Sequence, residues 1–253
     1  MRKKTLTAIQ AHAVECYPRE CCGLVVMSNR KEQYIACQNK AQSTDDFKIS
    51  PEDYANAEDK GRIVAVVHSH PDASNRPSEG DLVACEASSL PWYIITVTKD
   101  GAEDTINRIE PNGYKAPLIG REFCHGTLDC YTLVRDFYKR VLDIDLPDFA
   151  RDDDWWNDGQ DLYMQNFTKA GFYALDEKEP LRFGDVILMQ IRSPVANHAG
   201  IFIGNIDNLE GEKLYPVQNA FLHHLYGYSS GREIYGGQWA ESTVAIIRHK
   251  SLV

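Results

Sequence analysis

Apolar positions at helical spacing, Leu6, Ile9, Ala13 and Cys16, stop at Pro18 and predict a first helix over residues 5–17. Two short apolar runs, GLVVM at 23–27 and YIACQ at 34–38, predict strands around the polar turn SNRKE. SPEDYANAEDKG predicts a helix with Ser50 as its cap and Pro51 at its first position. A buried strand IVAVVHSH, a helix DLVACEASS and a strand WYIITVT follow. Helices and strands thus alternate around one sheet covered on its faces, the α/β pattern of an α-β-α domain.

The segment DGAEDTINRIEPNGYKAP, rich in Gly, Pro and polar residues, reads as a last strand and a connection. It divides the chain into expected domains at 1–111 and 112–253. Beyond it, DCYTLVRDFYKRVL sets Cys130, Leu133, Val134, Phe137 and Val141 on one helical face. A charged aromatic loop, ARDDDWWNDGQ, and a helix around DLYMQNFTKAG come next. Four strand-like runs close the chain: DVILMQI, HAGIFIG, KLYPVQNAFLHH and TVAIIRH. Helices first and strands afterwards is the order of an α+β domain.

At 253 residues the chain can bury two cores, at about 150 residues per domain. With 43% hydrophobic and 25% charged residues it is an ordinary globular composition. A formal net charge of −10, with scattered Lys and Arg, argues against a nucleic-acid partner, since phosphate binding needs clustered cations. The N-terminal MRKK has the charge of an export signal, but Gln10, His12 and Glu15 interrupt any apolar segment after it, so no signal peptide is expected. The longest apolar runs fall far short of the ~20 residues a membrane span needs. Seven cysteines without a regular framework fit free thiols and a reducing compartment such as a cytoplasm.

The stretch HSHPDASNRPSEGD, His68 to Asp81, carries the first candidate chemistry. Alternate strand side chains share a face, so His68 and His70 can hold one ion. The loop after them can return Asp81, giving three nitrogen and oxygen ligands with a fourth position open to water, as in catalytic zinc. The same letters have a plainer reading: Ser78-Glu79-Gly80-Asp81 has the form of a helix N-terminal cap.

His-x-His, seven intervening residues and Ser-x-x-Asp together resemble the JAMM (MPN-plus) metallopeptidase signature, whose domain has a cytidine-deaminase-like sheet. PRECCGLVV resembles the family's upstream helix-to-strand junction and sets Glu20 in its glutamate position. The resemblance implies that His68, His70 and Asp81 bind Zn2+. It implies that Glu20 takes a proton from the activated water and passes it to the leaving amine, and that Ser78 stabilises the oxyanion. Otherwise Glu20 reads as a solvated turn residue.

The second candidate chemistry centres on Cys130, at a helix start behind Asp129, where free amides and the helix dipole favour a thiolate. A cysteine nucleophile needs a base and a group to orient it. His198 can be the base and His223 the orienter, with Gln218 or His224 as alternatives. Cys124, beside His125, is a rival thiol, and buried packing is the expectation for the other cysteines. The order DC-helix, GDVILM, HAGIFIG resembles the NlpC/P60 cysteine peptidases over roughly residues 115 to 253, although DCYT stands where DCSG is usual. The resemblance implies a papain-like domain that cuts peptide stems of bacterial peptidoglycan, with Cys130 as nucleophile, His198 as base and His223 as third member. The run DDDWWND at 152–158 reads either as an aromatic groove rim or as a solvated loop anchored by two tryptophans.

The two domains in this order, with the closing segment LHHLYGYSSGREIYGG, resemble tail-tip assembly proteins of lambda-like phages. That implies peptidoglycan peptides and other phage tail proteins as partners, with residence in the host cytoplasm during assembly and in the virion tail afterwards. The competing expectation is a structural assembly factor in which one or both sites are catalytically silent.

Overall fold

The computed structural model describes residues 1–44, 46–152, 154–176 and 178–252, and the chain splits into two compact units, Met1–Lys115 and Ala116–Val253. The first unit runs α1 (Lys3–Cys16), β1 (Cys22–Ser28), β2 (Lys31–Cys37), α2 (Pro51–Glu58), β3 (Arg62–Pro71), α3 (Glu79–Ser88), β4 (Trp92–Thr98) and β5 (Gly101–Ile109). Its sheet has the order β2-β1-β3-β4-β5, parallel between β3 and β4 and antiparallel elsewhere.

Strand alternation sorts the apolar residues onto two faces. Val25, Ala65, Val67, Ile95 and Val97 meet Ile9 and Ala13 of α1. On the other face Leu24, Val26, Val66 and Trp92 meet Ala57 of α2 and Cys85 of α3. His68 and His70 follow Val66 at steps of two, so they emerge on the α2 and α3 side. The expected five-residue turn SNRKE contracts to Asn29-Arg30, with φ of 49° and 63°, because Ser28 already pairs with Lys31. Two consecutive left-handed residues suit the strand twist at a tight hairpin.

The second unit contains α4 (Cys130–Val141), α5 (Leu162–Asn166), β6 (Phe172–Ala174), β7 (Val186–Met189), β8 (His198–Gly204), β9 (Asn208–Leu209), β10 (Glu212–Lys213), β11 (Ala220–His223), β12 (Gly231–Ile234), α6 (Gln238–Glu241) and β13 (Thr243–His249). Six strands form an antiparallel sheet in the order β12-β11-β8-β7-β13-β6. Leu133, Val134 and Phe137 of α4 pack on Val186, Leu188, Ala199, Ile201 and Leu222. Ile187, Met189, Phe202 and Phe221 form the opposite face.

KLYPVQNAFLHH is not one strand, as its apolar pattern predicts. Its first residue ends β10, its last strand residues form β11, and the part between is loop. Pro216 has no amide to give a ladder, which interrupts the pairing there. β6 and β12 go unforeseen because three or four residues are too few to show a period. All seven cysteines are free thiols. Among the described residues no helix is long and apolar enough to cross a membrane.

Candidate functional site

The first cluster forms where β3 leaves the sheet and α3 begins. His68 Nε2 lies 3.1 Å from His70 Nε2 and 3.1 Å from Asp81 Oδ1, and His70 Nε2 lies 3.4 Å from Asp81 Oδ2. His68 is fully buried, stacked on Phe47 at 4.7 Å and against the edge of Trp92. His70 Nδ1 donates to the Ser74 carbonyl at 2.8 Å, which leaves its Nε2 a lone pair turned into the cluster. His68 Nδ1 makes no hydrogen bond among the described residues.

Two imidazole nitrogens face each other beside a carboxylate that only accepts. Such a donor set needs a cation or a proton between its members, and it suits zinc. One atom from each of His68, His70 and Asp81 lies within 4.8 Å of the others. The electrostatics follow from the same crowding. Burial pushes His68 down from the ordinary histidine range. Burial also opposes charge on His70 and on Asp81, but Asp81 outweighs it at His70, raising that histidine, and His68 with His70 holds Asp81 well below the usual carboxylate range.

The cap reading of this stretch also holds in the structure. Ser78 caps α3, with Asp81 N–H donating to Ser78 Oγ at 3.1 Å and Ser78 N–H donating to Asp81 Oδ2 at 2.8 Å. The Ser78 hydroxyl donates to the same Oδ2 at 2.9 Å. Ser78 therefore reaches the cluster as the partner that aims Asp81, and its proton points at that carboxylate.

Glu20 is buried rather than solvated, at 6% exposure. The β1–β3 ladder brings it to the cluster. Cys22 pairs with His68, and Ser69 N–H donates to the Cys21 carbonyl, while Cys21 N–H donates to Ser69 Oγ. Glu20 stands one residue before Cys21, its amide donating to the Thr44 carbonyl, and its charge contributes to raising His70.

The second cluster lies in the other unit. Asp129 caps α4, accepting from the Thr132 amide at 2.8 Å, and Cys130 is the first helical residue. Asp129 is itself clasped by Arg151, whose Nε and second terminal nitrogen donate to its two oxygens at 2.6 and 3.2 Å. His198 opens β8, and its Nε2 lies 3.1 Å from His223 Nδ1. His223 pairs across the sheet with Gly200, two steps from His198 on one face, and its ring stacks on Phe221.

Of the three candidates for third member, His223 is the one hydrogen-bonded to His198 among the described residues. His224 borders the same cavity as Cys130 and His198, with its ring against Phe123. Gln218 is exposed in the loop before β11. Cys124 sits in the turn before α4, where its backbone bridges to Leu128.

Cys130, His198 and Trp156 line one cavity of about 730 Å3. Trp155 is buried while Asp152, Asp154 and Asp158 are exposed, so the charged aromatic run is both an anchored loop and a cavity wall; Asp153 lies outside the described residues. Cys130 is not the thiolate that its helix position predicts. Burial, with the adjacent Asp129 carboxylate, pushes its thiol up to about 11. Its hydrogen bond is to the hydroxyl of Tyr163 at 3.1 Å, a residue with no signal in the sequence, and no Cys130–His198 bond forms among the described residues. Burial and the neighbouring histidines push His198 down to about 3, leaving it neutral.

With both clusters in place, comparison with known proteins is informative. The chain is 43% identical over 256 residues to the tail tip assembly protein K of Escherichia phage N15, covering 100% of this chain and 97% of that protein. It is 39% identical over 205 residues to the protein of the same name from Escherichia phage lambda, covering 80% of this chain and 90% of that one. The chain belongs to the tail tip assembly protein K family. In this member of the family, residues 2–109 match the prokaryotic homologs of the JAB domain, and residues 120–248 match the NlpC/P60 family. A JAB/MPN-like domain thus precedes an NlpC/P60 domain, and both families are peptidase-related. Among solved structures, the chain is similar to a protein of Desulfitobacterium hafniense (25% identity, 43% of this chain and 87% of that one, TM-score 0.34). It is similar also to a JAB1/MPN domain protein of Archaeoglobus fulgidus (22% identity, 45% of this chain and 90% of that one, TM-score 0.28).

Proposed function

We propose that this chain is a phage tail-tip protein with two hydrolytic sites, a zinc-dependent amide or isopeptide hydrolase in residues 1–111 and a cysteine endopeptidase for peptidoglycan stem peptides in residues 112–253. It is made in the host cytoplasm, joins other tail proteins, and acts in tail assembly or wall penetration. The observation that carries the reading is that Cys130 and His198 line one cavity, with His223 hydrogen-bonded behind His198.

In the cysteine site the Cys130 thiol proton passes to His198 and the sulfur attacks the amide carbonyl. Backbone amides at the start of α4 meet the oxyanion. Collapse breaks the C–N bond, and His198 returns the proton to the leaving amine. Water then hydrolyses the thioester by the same base and restores the thiol.

In the first unit His68, His70 and Asp81 are the residues that would hold zinc, which when bound supplies water activation and carbonyl polarisation. Glu20 takes the proton of the attacking water and delivers it to the leaving amine. The Ser78 amide keeps its hold on Asp81 while the hydroxyl swings from that carboxylate to the oxyanion.

The test is elemental analysis for zinc together with turnover of defined wall peptides by the parent, Glu20→Ala and Cys130→Ala. Zinc near one per chain and loss of stem-peptide cleavage in Cys130→Ala are expected. Zinc near zero sinks the first site, and unchanged cleavage by Cys130→Ala sinks the second.

A second reading, a structural assembly factor with silent sites, is favoured by the protonated Cys130 held by Tyr163. Phage carrying Cys130→Ala and Glu20→Ala separates the two. Tails that form but fail to penetrate indicate an enzyme of entry, and absent tails indicate assembly or processing.

A further inference from the structure

The geometry points to Glu233 as a positioning residue of the cysteine site, fixing the protons of His223 and His198 so that His198 presents a free base toward Cys130; this rests on the cysteine-peptidase reading above.

The line of polar contacts does not stop at His223. Its remaining nitrogen, Nε2, lies 3.4 Å from Glu233 Oε1, and the other carboxylate oxygen, Oε2, accepts from Trp239 Nε1 at 2.9 Å. The β11–β12 register sets Glu233 opposite Phe221, diagonal to His223 on one face of the sheet. The Trp239 ring lies 4.8 Å from that of His223, edge to face. Glu233 is thus held at one oxygen by an indole and turned at the other toward the imidazole.

A carboxylate only accepts hydrogen bonds, so it selects the form of His223 with its proton on Nε2. In the neutral ring, which burial favours, Nδ1 then carries a lone pair. His198 Nε2 must donate across the 3.1 Å gap, and Nδ1 of His198 is left unprotonated. That nitrogen is the one available to take the thiol proton. The opposite order, with His223 Nδ1–H donating to His198 Nε2, would protonate His198 Nδ1 and remove the base. Nothing in the two histidines alone chooses between the orders, and the carboxylate does.

Glu233 has a half-exposed side chain on the edge strand β12, so replacing it leaves the core untouched. The experiment compares the full-length parent, Glu233→Ala and Glu233→Gln by long-range proton–nitrogen NMR of the histidine rings and by kcat and KM on stem peptides. In the parent, His223 should carry its proton on Nε2. In Glu233→Ala that assignment should be lost to a mixture of forms, with kcat down about tenfold and KM unchanged, since a wrong tautomer weakens the base and not binding. Glu233→Gln, which keeps an accepting oxygen, should fall between them. A parent His223 protonated on Nδ1, or an unchanged ring spectrum in Glu233→Ala, overturns the proposal. If the spectra behave as expected and the parent cleaves no wall peptide, the proton order stands and the peptidase reading falls.

Discussion

Tyr163 sets its hydroxyl 3.1 Å from the sulfur of Cys130, so the nucleophile bonds a phenol, not an imidazole. The hydroxyl favours the thiolate, but burial and Asp129 prevail and carry the thiol up to about 11. Alkylation of Cys130 by iodoacetamide should therefore be slow at neutral pH and rise about tenfold per pH unit toward 11, since only the thiolate reacts. Tyr163→Phe should move that rise to still higher pH. Peptide mapping across pH reads both, and a plateau by pH 8 would contradict the buried, protonated thiol.

Arg151 and Asp129 form a buried ion pair at the start of α4, with side chains 9% and 4% exposed. Removing the cation leaves a carboxylate unpaired in the interior, a loss of about 3–5 kcal/mol. Arg151→Ala should lower the denaturation midpoint accordingly. Burial alone would raise Asp129, but Arg151 and Thr132 depress it, so its contribution is present above the unfolded value near 3.9 and lost as pH falls through the folded one. Acid unfolding of Arg151→Ala should accordingly lose the part of the pH dependence that the parent shows below about pH 4.

Zinc supplied at about 100 times its dissociation constant should stabilise the parent by about 2.7 kcal/mol, through binding to the folded state alone. His68→Ala and His70→Ala should lose that increment, read as the zinc-dependent part of the melting temperature. Ser78→Ala should lower stability by about 1 kcal/mol, with or without zinc, because it removes the cap of α3. Equal zinc stabilisation of His68→Ala and the parent would exclude the cluster.

Gly200 has no room for a side chain, because an added Cβ would lie 2.6 Å from Phe221 Cδ2 and 3.2 Å from His223 Cβ. Gly200→Ala should push Phe221, and with it the stacked His223, at about 1–3 kcal/mol of overpacking. Cleavage should fall more than stability explains. Unchanged turnover would mean that the placement of His223 does not matter.

Much of this arrangement was legible in the sequence because regular elements carry it. The strand period sets His68 beside His70, the helix start singles out Cys130, and an apolar strand presents His198. What escaped notice sits in short or irregular stretches. Tyr163 belongs to a five-residue helix, Arg151 to a loop, and Glu233 to a four-residue strand. Their roles depend on contacts across as many as 33 residues, which no local period records. The state of Cys130 escaped for a different reason. The helix terminus was visible, but the burial and the neighbouring carboxylate that outweigh it come with the packed loop.

Glu20 stands one residue before Cys21, whose carbonyl accepts from the Ser69 amide, and the Glu20 charge helps to raise His70. The segment between Glu20 and His70 takes part in holding the cluster, since the Glu20 amide donates to the Thr44 carbonyl, the Asn39 side chain donates to the Glu20 carbonyl, and Phe47 stacks on His68. Cys21 alone separates Glu20 from the start of β1. Deleting it would move the carboxylate into the place of Cys21, among the core residues on the α1 side of the sheet and away from His68, His70 and Asp81.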